Sequence, residues 1–219
     1  MAVLALVMTA CCTNQTPKEE PLAATPVVHG AEILLPAPDL SRGMTVGEAL
    51  QNRRSWREYN PEPLTMEELS GVLYAAAGIN RPENDHLTAP SALALYPIRV
   101  YAFFKEGIYR YEAKSHKLVR VVEGDHMAVS GGQPFVGTAA LNLVYVADRS
   151  VYAGKPIPMD KVTYLCGQDA AGYAENVNVY TAGTGLRSIT RGSASPQLLQ
   201  TLGLDEERYN FALAQSVGK

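Results

Sequence analysis

The stretch from Met159 to about Thr184 reads as one long helix set among short apolar segments, and that combination restricts the fold more than any other feature of the chain. Asp160 lies near its start, and Gly167, Ala170, Ala171, Gly172 and Ala174 fill it with small side chains. Small side chains let another helix approach closely, and that neighbour is either a second copy of the chain or a helix of the same copy. Before it, "PIRVYAFF" and "GIYRYE" flank Lys105-Glu106 and read as paired strands, with "KLVRVV" as a third. "ALNLVYVAD" at 140–148 reads as a buried strand. After the long helix, "LRSITRG" gives a short strand and turn, "SPQLLQTLG" a capped helix and "NFALAQSVG" a final strand. Helices and strands mix without a βαβ rhythm, and no GxGxxG follows a strand, so the class is α+β and not a dinucleotide-binding fold.

Two helix starts are written in the sequence. Thr45 caps a short helix through Asn52 with Glu48 completing a capping box, and Thr65 repeats the device with Glu68. Leu69, Val72, Leu73 and Ala76 then share one face, and Gly78 stops the helix.

The chain has 219 residues, which suits a single domain with a full core. Its net charge is −3, and outside one cluster Lys and Arg are scattered, which excludes the basic stripe of a nucleic-acid binder. Cys11, Cys12 and Cys166 make no disulfide framework, and Cys166, between Leu165 and Gly167, reads as a packed core thiol. The histidines 29, 86, 116 and 126 have no ligand spacing, so no metal site is expected.

The N-terminus reads as an address. A short apolar run leads to Met8-Thr9-Ala10-Cys11, which resembles a bacterial lipoprotein signal with Cys11 as the lipidated residue. The run is far short of a membrane span, so the membrane is expected only through that anchor. The expected organisation is a signal segment at 1–12, a tether at 13–40 and a domain at 41–219. The matching location is the cell envelope, periplasmic or at the outer membrane; the signal lacks Lys or Arg before its apolar run, which leaves a cytoplasmic location as the alternative.

Three constellations carry chemistry. In "RRSWRE", Arg53, Ser55 and Arg57 alternate, so in an extended strand they point one way while Arg54 and Trp56 point the other. Arginine forks and a hydroxyl match the oxygens of a terminal phosphate, although a solvated turn would have the same composition. In "TAPSALALYPIRVY", Pro90 and Pro97 bound a segment of small and apolar residues with one hydroxyl, Ser91, able to lie flat on an aromatic ring. In "GTGLRSITRGSAS", Gly183, Gly185 and Gly192 permit close backbone approach.

In this order, "RRSWREYNPEPLTMEELSGVLYAAAGI", "TAPSALALYPIRVYAF", "GIYRYEAKSHKLVRV", "GYAEN…GTGLRSITRG" and "ALAQSVG" resemble the nitroreductase-like flavoproteins over about residues 44 to 219, and within them the branch of azoline dehydrogenases that form thiazoles and oxazoles. The resemblance implies an α+β nitroreductase-like fold: a central, mostly antiparallel sheet flanked by helices, with the long helix at a homodimer interface that binds FMN. It assigns Arg53, Arg54, Ser55 and Arg57 to the phosphate and ribityl end. It lays Pro90, Ser91, Ala92 and Leu93 of the partner subunit along the flavin. Arg191 and Gly192 would offer backbone contact near N5, Gln133 would touch the ring, and Lys219 would reach the phosphate.

The chain also departs from the pattern. Many relatives have Gly at the position of Leu93 and a basic residue at Leu87, and "GHxxQN" becomes "GYAEN", which changes Tyr173 and Glu175. A changed Leu93 would shift the loop or narrow the substrate space. The Lys-Tyr pair proposed as the base in azoline dehydrogenases has no counterpart, which disfavours azoline oxidation. Two functions follow as expectations. One is an FMN oxidoreductase working by ping-pong on a small organic substrate, with NAD(P)H as donor or, if exported, another reductant. The other is an exported, lipid-anchored flavin- or ligand-binding protein without turnover.

Overall fold

The computed structural model describes residues 31–219. The signal segment at 1–12, the Cys11 anchor and most of the tether lie outside the described residues. Strand β1 (Glu32–Leu34) opens the fold. Helices α1 (Val46–Asn52) and α2 (Met66–Ala77) follow, then a small hairpin of β2 (Ile79–Arg81) and β3 (His86–Leu87). The main strands are β4 (Ile98–Phe104), β5 (Gly107–Glu112), β6 (Lys117–Glu123) and β7 (Leu141–Asp148). Helix α3 (Met159–Thr184), strand β8 (Arg187–Arg191), the single turn α4 (Leu198–Thr201) and strand β9 (Tyr209–Gly218) complete the chain.

The seven-stranded sheet runs β1-β6-β5-β4-β7-β9-β8, with every neighbour antiparallel. Both of its faces are covered, and the period-two alternation of β4 divides between them. Val100, Ala102 and Phe104 enter the core shared with α2 and α3, while Tyr101 and Phe103 enter a second core under α4. All eight residues of β7 are buried, the signature of a strand packed on both faces.

Both capping boxes form: Thr45 and Thr65 accept the N–H groups of Glu48 and Glu68, whose carboxylates return to the cap N–H at 2.9 and 2.7 Å. Leu69, Val72, Leu73 and Ala76 are fully buried, each large side chain contributing about 1.5–3 kcal/mol. Gly78 ends α2 in extended rather than left-handed geometry, and its missing side chain makes room for the Tyr74 ring. Helix α3 buries Val162, Cys166, Ala170, Tyr173, Ala174 and Val177 along one face. Burial pushes the Cys166 thiol up to about 11, as befits an inert core cysteine.

Two features differ from the sequence reading. Residues 32–34, assigned by composition to the tether, form β1 on β6, and Leu35 after them is buried; Ser70 Oγ donates to Pro36 O at 2.6 Å. Three residues are too few for a periodic signal, and their pairing partner lies far along the chain. The helix expected in "SPQLLQTLG" shrinks to one turn with Gln197 as cap, and Ser195 Oγ accepts the Gln197 N–H outside it.

Candidate functional site

Helix α1 ends as the Arg53 N–H closes on Ala49 O, and the chain swings into extended geometry. The arginine ribbon then docks on the free edge of β8. Ser55 forms a parallel bridge with Ser188, and the Trp56 N–H donates to Ser188 O at 3.0 Å. Trp56 lies between two guanidiniums, Arg54 at 5.3 Å and Arg187 at 4.7 Å from its centroid. Arg54 and Trp56 therefore share a side, as alternation of an extended chain requires. Among the described residues no carboxylate lies within ion-pair distance of Arg53, Arg54, Arg57, Arg187 or Arg191. In a chain of net negative charge, this edge therefore carries a local excess of positive charge.

Tyr59 marks where these charges converge. Burial pushes its phenol well above the ordinary value, and Arg191, Arg57 and Arg187 pull it back. The chain end reaches the same edge: Gly218 pairs with Arg187, and the Asn60 N–H donates to Lys219 O at 2.8 Å. The Lys219 ammonium, however, is held by Glu68 at 3.5 Å and Glu62 at 3.7 Å, so a role on phosphate requires those pairs to open.

At the other end of β8, Arg191 turns inward. It is 4% exposed and donates to Ser130 O at 2.6 Å and to Asn142 Oδ1 at 3.2 Å, while its Nε has no partner. Burial pushes its pKa down to about 10. Gly131 passes so close beneath the guanidinium that a side chain there would overlap it. Gln133 joins the group through Nε2 to Ser193 Oγ at 3.2 Å, and its buried Oε1 is unpaired. Gln133, Arg191 and Gly192 are thus one assembly. The α-carbons of Gly192 and Gly185 both face open space, Gly185 being the left-handed cap of α3, whereas Gly183 seats Ala49 of α1. Gly183 serves helix packing and Gly185 chain reversal.

Pro90, Ser91, Ala92 and Leu93 stand apart from that edge. Ser91 Oγ donates to Asp169 Oδ2 at 2.5 Å, and the Ala92 N–H donates to Asp169 Oδ1 at 3.0 Å. Leu93 has φ 57° and ψ 16° and is 65% exposed. That is the left-handed conformation glycine adopts freely, so the backbone matches what Gly would give, with an exposed isobutyl group added. Among the described residues no hydrogen bond or ion pair links this loop to the arginine ribbon of the same chain.

The sequence reading missed Tyr59, Arg187 and Asp169. The signal for Asp169 was available: an acid three residues after Cys166 and four before Tyr173 falls on the buried face of α3.

The model of the nitroreductase family matches residues 50–219. A provisionally named nitroreductase of Methanocaldococcus jannaschii is 30% identical over 170 residues, 71% of this chain and 82% of the relative. The crystal structure of a provisionally named nitroreductase of Ralstonia eutropha JMP134 superposes with TM-score 0.80 at 34% identity, covering 91% of this chain and 95% of the other. Another such structure, from Desulfovibrio desulfuricans in complex with FMN, has the same fold with TM-score 0.57 at 20% identity, covering 81% and 87%. With the sheet order, the arginine ribbon and the proline-bounded loop in place, these matches establish that the chain belongs to the nitroreductase family.

Proposed function

We propose that the chain is an FMN-dependent oxidoreductase that exchanges hydride or electrons with a small organic substrate by a ping-pong route. The observation that carries this reading is the set of arginines along the β8 edge with no carboxylate partner among the described residues. Arg53, Ser55 and Arg57 hold the dianionic phosphate, each charged hydrogen bond contributing roughly 1.5–3 kcal/mol. Arg54 braces the ribbon through Trp56. Bound FMN supplies the hydride chemistry, and the chain supplies binding, orientation and electrostatics. The backbone at Arg191 and Gly192, with Gln133 beside it, meets the ring. The field of Arg57, Arg187 and Arg191 favours the gain of negative charge there.

The ring's other face is covered by Pro90–Leu93 of a second copy. Exposed Met44, Val46 and Leu50 on and before α1, and exposed Met159 and Tyr164 on α3, favour such a homodimer. The donor is NAD(P)H, or another reductant if the chain works outside the inner membrane. The likeness to azoline dehydrogenases rests on motif order, and without their Lys-Tyr pair azoline oxidation is not part of the reading.

The test is spectroscopic. Purified protein should be yellow or become so with FMN, bleach with NADH and recover on adding a nitroaromatic or quinone acceptor. Colourless protein that ignores FMN in calorimetry refutes the reading.

A further inference from the structure

We infer that Asp169 is the positioning residue that locks the 90–96 loop in the shape that covers the flavin; this role rests on the flavin reading above. The loop holds an unusual backbone. Leu93, Ala94 and Tyr96 all have positive φ, at 57°, 53° and 47°, and they make up three of the five such non-glycine residues among those described. A cluster of left-handed residues with side chains persists only when its surroundings impose it.

The imposing group is a single carboxylate. Asp169 is 5% exposed in the middle of α3, with no cation within ion-pair distance among the described residues. One oxygen takes the Ser91 hydroxyl and the other takes the Ala92 N–H. Ser91 Oγ in turn accepts the Tyr96 N–H at 2.8 Å, which closes the loop into a ring anchored at both ends. The Tyr96 ring rests against His86 at 5.6 Å, and Pro90 and Ala89 lie against Gly172, one turn along α3. The buried acid is thus spent on the geometry of five backbone positions, and the exposed Leu93 side chain is what that geometry presents.

The test pairs FMN titration with amide hydrogen exchange on Asp169→Ala, Asp169→Asn and Ser91→Ala. Asparagine keeps an acceptor for the Ala92 N–H and can donate to Ser91 Oγ. It should hold FMN affinity within about threefold, whereas alanine weakens it by about tenfold or more and Ser91→Ala falls between. Exchange at Ala92 and Tyr96 should accelerate in the alanine variants while the β7 amides stay protected. If Asp169→Ala fails to fold, Ser91→Ala, which leaves α3 intact, decides by the same two readouts. Wild-type affinity in a folded Asp169→Ala, or in Ser91→Ala where the first does not fold, overturns the positioning role and leaves the flavin reading standing. A wild-type chain that binds no FMN overturns the flavin reading itself, and this role with it.

Discussion

Replacing Arg191 by methionine separates two explanations of a buried charge. If the guanidinium serves stability, its loss should be severe; if it serves the field at the flavin, the fold should tolerate methionine. The structure supplies both sides of the comparison. Depressing the pKa from 12.5 to about 10 corresponds to roughly 3 kcal/mol against the charged form. The two good hydrogen bonds, to Ser130 O and Asn142 Oδ1, return about 3–6 kcal/mol between them. The charge is therefore worth between about zero and 3 kcal/mol where it sits. Methionine refills the space of the aliphatic stem. It leaves Ser130 O without that donor, at about 1–3 kcal/mol, whereas Asn142 Oδ1 keeps the Ser216 hydroxyl at 2.5 Å. We expect Arg191→Met to lose about 1–2 kcal/mol in urea denaturation. The flavin midpoint potential should fall, because a nearby positive charge that favours electron gain has gone, while FMN affinity, set at the phosphate end, changes little. A loss above about 4 kcal/mol would show that the hydrogen bonds dominate. An unchanged potential in a folded variant would place the ring beyond the reach of this charge.

Arg53→Ala should weaken FMN binding by about one to two powers of ten in a fluorescence titration, since it removes one charged donor from the phosphate. Leu93→Gly should be nearly neutral in thermal unfolding, because relief of about 1–2 kcal/mol of left-handed strain offsets the greater entropy of a glycine chain; Leu93→Val, β-branched at positive φ, should lower the midpoint instead. Asp148 is 1% exposed, and the hydrogen bond from Arg208 holds its carboxyl well below the usual range, so its contribution is present above about pH 4 and lost as pH falls further; Asp148→Asn should flatten the acid limb of the stability profile and cost about 2–3 kcal/mol at pH 7. Growth with labelled palmitate tests the anchor proposed at Cys11: label should enter the wild-type chain and be absent from Cys11→Ser.

Local signals were read from the sequence because their causes are local. A capping box needs only Thr45 and Glu48, or Thr65 and Glu68, and both formed as written. The long helix was read from Met159 to about Thr184, and the structure ends it at those residues, between Pro158 and the left-handed Gly185. The strands β4 and β7 were legible as β-rich segments, β7 as a buried one. What escaped depends on partners distant in sequence. β1 is a strand only because β6 lies beside it, and Lys219 looks free until folding brings Glu62 and Glu68 to it.

The candidate site shows the same division, with a consequence for how such sites are found. The arginines could be listed from the sequence, but whether they have a counter-ion becomes visible only once the fold has placed the carboxylates, and among the described residues none pairs with them. Glu58 and Glu62 stand within ten residues of Arg53 and pair with none of Arg53, Arg54 or Arg57; Glu62 goes to Lys219 instead. The proline-bounded loop likewise looked like any connection until three left-handed residues and a buried acid showed it to be held against its own preference. The imposed backbone costs about 1–3 kcal/mol, whereas the ribbon arginines are exposed and water holds their charge until an anion displaces it. In a fold that closes the capping boxes of its first two helices and buries both faces of β7, these two places are where the proposed flavin site has to be tested first.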